Sequence, residues 1–67
     1  MEENAEFYTA DDVAMLLKLP LSTVYKLAQD SKLPGFKIGK HWRFRRESIQ
    51  QWVLEQESKH KLPLTHV

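Results

Sequence analysis

The fold is decided by residues 9–30, which read TADDVAMLLKLPLSTVYKLAQD. Thr9 is a good N-cap, and the acidic residues just after it suit the positive end of a helix. The apolar residues that follow recur at the spacing of one helix face: Val13, Leu16 and Leu17. This pattern predicts a first helix over about 10–18. Pro20 breaks that helix and suits the first turn of a second one, which we expect to reach about Asp30.

The second of these helices has an apolar stripe and a polar stripe. The apolar stripe consists of Leu21, Val24, Leu27 and Ala28. The other stripe consists of Ser22, Tyr25, Lys26 and Gln29, flanked by Thr23. Two short helices joined by a turn of about three or four residues form the helix-turn-helix arrangement. Its second helix is expected to present small polar and cationic side chains outward.

A β-hairpin is predicted around Gly39-Lys40, because apolar and polar residues alternate on both sides of it. Its apolar residues are Phe36, Ile38, Trp42 and Phe44. A two-residue loop pairs Ile38 with His41 and divides the four between the two faces. A three-residue loop that includes His41 places all four on one face. Burial favours this second register, although glycine in first place favours a two-residue type II′ turn.

The three-residue register has an electrostatic consequence. It sets Lys37 opposite Arg43 on the outer face, and like charges opposed across strands are destabilising. The tip of the hairpin adds Lys40 and His41, and its exit adds Arg45 and Arg46. A hairpin with this uncompensated charge is expected to accept an anion.

The last helix is predicted from near Arg46-Glu47 to about Glu57. Its apolar face consists of Ile49, Trp52 and Val53, and it should pack on the hairpin and the helix pair. Trp42 and Trp52 both fall on apolar faces, so we expect them in the core rather than as stacking platforms. The predicted fold class is α+β and mainly α. The predicted organisation is a flexible N-terminus (1–7), one domain (8–57) and a flexible tail (58–67).

Length and composition exclude several classes of protein. The chain has 67 residues and no cysteine, so disulfides and thiolate metal sites are excluded. A domain of this size has no room for a deep substrate cavity. The histidines lack metal-ligand spacing, and no nucleophile–base–acid set is found, so we expect no metal, no cofactor and no enzyme activity. The longest apolar run, 13–17, is too short to span a bilayer, and the acidic N-terminus is unlike a secretory signal, so we expect a cytoplasmic protein.

The net charge of +1 is unevenly distributed along the chain. Residues 1–17 contain five acidic and no basic residues, whereas residues 18–46 contain eight basic residues and one acidic residue. A segment with this excess attracts polyanions, although a solvated basic face is the structural alternative.

Helix-turn-helix, hairpin and closing helix together form a winged helix-turn-helix. The chain resembles the excisionase family of small DNA-binding domains, which is related to the MerR-type winged helix. The segments that carry this resemblance are YTADDVA (8–14), LSTVYKL (21–27), LPGFKIG with WRFR (33–39 and 42–45) and IQQWV (49–53). Two departures stand out. Glycine is common in the turn into the second helix and just after that helix, where this chain has Lys18-Leu19-Pro20 and Asp30-Ser31-Lys32.

The resemblance implies a recognition helix in the major groove and a wing against the DNA backbone or the minor groove. The candidate contacts on the recognition helix are Leu21, Ser22, Thr23, Tyr25 and Lys26, and those on the wing are Lys37, Lys40, His41, Arg43, Arg45 and Arg46. Short hydroxyls and lysines suit base edges and phosphates. The structural alternatives are helix capping by Ser22 or Thr23, packing of Tyr25 against the wing, and a solvated hairpin edge. Arg45 and Arg46 are expected to clamp the backbone rather than read bases.

Similar proteins assist site-specific recombinases or regulate transcription, often with several copies side by side. The implied partners are therefore double-stranded DNA, with a recombinase or further copies of the chain, in a bacterial or phage-like cytoplasm and away from membranes. Two other functions stay open from sequence: a protein-interaction module that uses the winged-helix surface, and a binder of single strands or RNA that uses exposed aromatics.

Overall fold

The computed structural model of this chain describes residues 6–60. Three helices pack with a small antiparallel sheet whose strand order is β1-β3-β2. In chain order the elements are β1 (Phe7–Tyr8), α1 (Ala10–Leu17), α2 (Leu21–Gln29), β2 (Phe36–Ile38), β3 (His41–Arg45) and α3 (Arg46–Lys59). The predicted fold class, α+β and mainly α with a winged helix-turn-helix order, is confirmed.

Helix α1 begins with the cap that the sequence predicts. The Asp12 backbone N–H donates to Thr9 Oγ1 at 3.1 Å, and the Thr9 backbone N–H donates to Asp12 Oδ2 at 3.0 Å. This reciprocal pair is a capping box, which satisfies two backbone donors at the helix start. It holds the entry to α1 next to β1, where the sheet begins.

Both helices of the helix-turn-helix end in a left-handed residue that is not glycine. Lys18 has φ 57° and Ser31 has φ 59°. After α1, the Leu19 N–H donates to the Ala14 carbonyl at 2.9 Å. After α2, the Lys32 N–H donates to the Leu27 carbonyl at 2.8 Å. These bonds link residues five apart, as in the Schellman motif that ends many helices. At both departures from the family pattern, a residue other than glycine therefore adopts the left-handed conformation that glycine usually supplies.

The core lies between the helices and the inner face of the sheet. Its buried residues are Tyr8, Ala10, Val13, Val24, Ala28, Leu33, Phe44 and Ile49. Trp42 and Trp52 are half-buried and pack against this cluster, as predicted. The Trp52 Nε1–H also donates to the Lys32 carbonyl at 2.7 Å, which ties α3 to the loop after α2. At Gly35 the backbone passes so close to the Phe44 ring that an added Cβ would lie 2.5 Å from it.

The predicted three-residue hairpin loop is wrong. Ile38 pairs with His41 and Phe36 pairs with Arg43, so the loop is Gly39-Lys40 alone. Gly39 has φ +62°, the conformation that glycine supplies at the first position of a type II′ turn. The turn geometry, rather than the burial of every apolar strand residue, therefore sets the register.

This register places the hairpin side chains differently from the prediction. Lys37 pairs with Trp42 and does not oppose Arg43. Trp42 and Phe44 lie on the inner face with their rings stacked at 6.1 Å, whereas Phe36 and Ile38 lie on the outer face. Hence the like-charge pair inferred from the three-residue loop does not form.

Strand β1 is an element that the sequence analysis missed. Phe7 pairs with Arg45 and Tyr8 pairs with Phe44, which adds Tyr8 to the inner face. The Arg46 N–H donates to the Glu6 carbonyl at 2.9 Å and extends this connection. Phe7 was expected in the flexible N-terminus (1–7), but strand pairing fixes it.

Helix α3 is also longer than predicted and ends at Lys59 rather than near Glu57. Ser58 and Lys59, assigned to the tail (58–67), are therefore helical. Glu47 in the first turn and Lys59 in the last turn both complement the helix dipole, which favours this full length. The expectation of flexible ends at 1–5 and 61–67 lies outside the described residues.

Candidate nucleic-acid interface

The hairpin tip and helix α2 meet at a cleft of about 210 Å³. Four predicted contacts line it together: Tyr25, Lys40, His41 and Arg43. Tyr25 comes from α2 and the other three come from the hairpin, so the fold brings residues from two separate segments to one surface. The cleft therefore joins the predicted recognition helix to the predicted wing.

Helix α2 turns its polar stripe outward, as the sequence predicts. Ser22 and Lys26 are exposed and Thr23 is half-buried. Pro20 occupies the N-cap position, and no side chain makes a cap hydrogen bond there. Neither Ser22 nor Thr23 therefore caps α2, and both hydroxyls lie at the start of the helix without that structural role.

Two other members of α2 lie at the border between core and surface. Leu21, which the sequence places both in the apolar stripe and among the contacts, is 37% exposed. Tyr25 packs beside the hairpin, as its structural alternative expected, and 39% of its surface stays exposed. Both side chains therefore border the exposed face of the helix.

Lys26 has a weak ionic partner on its own helix. Its Nζ lies 3.8 Å from Asp30 Oδ2, and the two side chains are 79% and 46% exposed. Exposed pairs of this kind contribute roughly 0.2–0.5 kcal/mol on a helix and are screened by salt. Lys26 is therefore only weakly held by Asp30 and stays available to an external anion.

The wing cations point in different directions. Lys40 and His41 are exposed at the tip. The Lys37 Nζ lies 5.8 Å from the centroid of the Trp42 ring, in a cation–π contact at the inner-face edge. Arg43 is half-buried, and its Nη1 donates to the Trp42 carbonyl at 2.8 Å, so one end of its guanidinium is held in place.

Arg45 and Arg46 are not brought to the cleft. Arg45 lies on the outer face with its guanidinium 5.0 Å from the Phe7 ring centroid. It is four residues beyond His41, or about 13 Å along an extended strand. Arg46 is half-buried at the start of α3. Their assignment as backbone clamps stays a prediction.

Four residues that line the cleft were not predicted as site residues: Thr9, Ala10, Asp11 and Trp42. Asp11 is exposed and places an acidic group beside the cationic tip, where it opposes a phosphate. The only sequence signal at this position was the acidic first turn of α1, which is explained by the helix dipole alone. The meeting of α1 with the hairpin is a long-range contact that no local pattern reports.

Within residues 6–60, no group of three or more His, Asp or Glu side chains is arranged to hold a metal ion. None of the described helices is long and apolar enough to cross a membrane.

Comparison with known proteins shows which family the chain belongs to. A family model described as a helix-turn-helix domain matches residues 7–57. Among curated proteins, the chain is 38% identical over 45 residues to the uncharacterized protein YvgK of Bacillus subtilis (strain 168). That alignment covers 67% of this chain and 15% of YvgK, so the chain matches only a small part of its relative. No solved structure is significantly similar to the chain.

Proposed function

Because this chain belongs to the helix-turn-helix domain family, we propose that it is an excisionase-type, sequence-specific binder of double-stranded DNA related to MerR-like winged helices. Family membership supports DNA binding, and proteins of this family are typically not enzymes. In the proposed complex α2 enters the major groove, and the β2–β3 wing lies against the backbone or the minor groove.

One observation carries this proposal: the cleft that joins the outward stripe of α2 to the cationic wing tip. Ser22 and Thr23 sit at the start of α2, where short hydroxyls suit base edges and phosphates. Lys26 is an exposed cation on α2, and Lys40 lines the cleft together with Tyr25. Base-reading groups on a helix and phosphate-binding groups on a wing are the two kinds of contact that specific DNA binding needs.

The small size of the domain bears on how it works. A single module of this kind buries about 600–1,000 Å² of protein surface on DNA, less than larger dimers do. We therefore expect adjacent copies or a recombinase to add binding energy, in a cytoplasmic setting. The role is accessory, either in site-specific recombination by bending or marking DNA, or in transcription by occupying a promoter.

Selection from a pool of random duplexes tests this function, followed by affinity measurements on the enriched duplex over a range of salt. Lys40→Ala should weaken binding to all duplexes and reduce the log–log salt slope by about 0.9. Ser22→Ala should instead reduce the difference in binding free energy between the enriched duplex and random duplexes. The reduction should be about 1–3 kcal/mol if the hydroxyl contacts a base edge. Lys59→Ala is the matched control, since Lys59 is exposed in the last turn of α3.

Several results would count against the proposal. A pool without an enriched sequence would remove sequence specificity. A binding constant that is independent of salt would remove the phosphate contacts. An equal effect of Lys40→Ala and Lys59→Ala would place the DNA elsewhere on the molecule.

A further inference from the structure

The outer face of the sheet carries an apolar patch whose members are not among the candidate DNA contacts. We define the outer-face patch as Phe7, Phe36 and Ile38, which are 39%, 43% and 61% exposed. With Arg43 these residues line a shallow depression of about 160 Å³. Phe7 lies on β1 and Phe36 on β2, and their rings meet edge to face at 6.0 Å across the central strand. The patch therefore reaches from β1 to β2 across the central strand β3.

Cations border this patch on every strand pair. Cross-strand pairing places His41 beside Ile38, Arg43 beside Phe36 and Arg45 beside Phe7. None of the residues in the three strands is Asp or Glu. Contiguous exposed apolar surface with a charged rim is typical of a protein interaction site, and a rim of one sign selects a partner of the opposite sign.

We propose that the outer-face patch docks a short segment of a partner protein in which an apolar side chain is adjacent to Asp or Glu. The apolar side chain fills the depression between Phe7, Phe36 and Ile38. The carboxylate meets the guanidinium of Arg43 or Arg45, where a bidentate pair adds both energy and direction. The inner face is packed against the core, so the segment binds from the side that none of the described helices covers.

A single-stranded nucleic acid fits this surface less well. Successive bases stack on open ring faces that lie roughly parallel to one another. Here the Phe7 and Phe36 rings are inclined at 84°, and the Arg45 guanidinium already covers the Phe7 ring at 5.0 Å. The most exposed member of the patch, Ile38, is aliphatic and offers no ring at all. The geometry thus suits an apolar side chain better than a column of bases.

Panning a library of random short peptides on the whole chain tests the proposal in the absence of DNA. The most enriched peptide is then synthesised, and its affinity is measured by fluorescence anisotropy for the wild type, Ile38→Ser and Leu54→Ser. Leu54 is the matched control, because it is an exposed aliphatic residue on α3 with 58% exposure against 61% for Ile38. Thermal melts of both variants should match the wild type, since neither side chain is buried.

The expected result is a shared motif with Asp or Glu next to a large apolar residue. Affinity should fall at least about tenfold in Ile38→Ser, as expected for a central apolar contact, and should stay unchanged in Leu54→Ser. A wild-type chain that binds the peptide but no duplex would overturn the DNA function and leave this inference standing.

The opposite results would overturn the inference. These are a library without an enriched motif, a motif without acidic residues, or equal loss in Ile38→Ser and Leu54→Ser. Binding of oligo-dT that is lost in Ile38→Ser, with no peptide enriched, would reassign the surface to single-stranded nucleic acid.

Discussion

The two faces of the three-stranded sheet are both apolar, yet only one of them is buried. On the inner face Phe44 is fully buried and Tyr8 is 7% exposed. On the outer face Phe36 is 43% exposed and Ile38 is 61% exposed. The residue types do not distinguish the faces, so hydrophobicity alone does not identify the inside of this sheet.

The difference arises from the turn and from the size of the domain. The two-residue loop with Gly39 at φ +62° divides the apolar strand residues between the faces. A chain of this length has too little helix to cover both faces, because small domains bury a smaller fraction of their surface. The uncovered face then carries arginines beside its aromatics, which keeps it hydrated.

The largest expected effect on stability comes from truncating one phenylalanine on each face of the sheet. Phe44→Ala should destabilise the protein by about 3–5 kcal/mol, because it removes a buried ring and leaves a cavity. Phe36→Ala should cost less than about 1 kcal/mol, because that ring is already partly hydrated. Urea unfolding followed by circular dichroism measures both.

The total stability of a chain this short is about 3–10 kcal/mol, so a loss of about 3–5 kcal/mol is enough to unfold Phe44→Ala. Phe44→Leu provides a milder variant that should fold and should still lose more stability than Phe36→Leu. Equal losses in the two leucine variants would contradict the contrast between the faces.

The two glycines of the wing test packing and turn geometry separately. In Gly35→Ala the new Cβ would lie 2.5 Å from the Phe44 ring, which is fully buried and has no room to retreat. We expect a loss of about 1–3 kcal/mol from overpacking. At Gly39 no atom lies within 4 Å of an added Cβ, so Gly39→Ala should lose about 1 kcal/mol through its backbone conformation alone.

Asparagine separates these two causes, because it tolerates the left-handed region better than alanine does. Gly39→Asn should therefore recover part of the stability lost in Gly39→Ala. Gly35→Asn should be at least as unstable as Gly35→Ala, since the Cβ remains. Chemical denaturation of the four variants measures their free energies of unfolding. A Gly35→Asn variant more stable than Gly35→Ala would refute the close packing of Gly35 against Phe44.

Local signals in the sequence predicted the helix-turn-helix and the hairpin, but neither the hairpin register nor strand β1. Thr9 and Pro20 mark helix ends through neighbouring residues, so both helices were predicted within two residues. The hairpin register follows the local turn preference of Gly39, whereas the prediction gave more weight to burying all four apolar strand residues on one face. Strand β1 has two residues and no period to detect, so Phe7 was placed in a flexible end.

The candidate site divides in the same way. Residues on α2 and at the tip were predicted because charge and helical period point to them, and the fold joins them at one cleft. Asp11 was missed because its position beside the wing depends on tertiary packing. Arg45 was grouped with the wing cations by sequence proximity, but strand alternation turns it to the outer face beside Phe7.

Removing the cation–π contact on either face of the sheet should have a smaller effect on stability. Lys37 lies 5.8 Å from the Trp42 ring centroid on the inner side, and Arg45 lies 5.0 Å from the Phe7 ring centroid on the outer side. Exposed contacts of this kind contribute about 0.5–1 kcal/mol. Lys37→Gln and Arg45→Gln should therefore each lower the free energy of unfolding by that amount at most. A loss larger than that of Gly35→Ala in either variant would mean that the contact is part of the core.

The smallest expected effect concerns charge on the helix side of the molecule. No strand residue on the outer face is acidic, whereas Lys26 on α2 has Asp30 at 3.8 Å. Asp30→Asn removes this competitor and should raise duplex affinity about twofold, since exposed pairs of this kind contribute only a few tenths of a kcal/mol. Stability should hardly change, because a lysine that precedes its acidic partner on a helix is the weaker orientation.

Glu55→Gln is the matched control for this last change. It alters the net charge by the same amount from an exposed position on α3, within a groove that also contains Trp52 and Lys59. If overall charge alone governed binding, both variants would gain affinity equally. A gain in duplex affinity that is confined to Asp30→Asn and becomes smaller at higher salt would place a DNA phosphate beside Lys26. The DNA would then lie on the helix side of the molecule, opposite the outer-face patch.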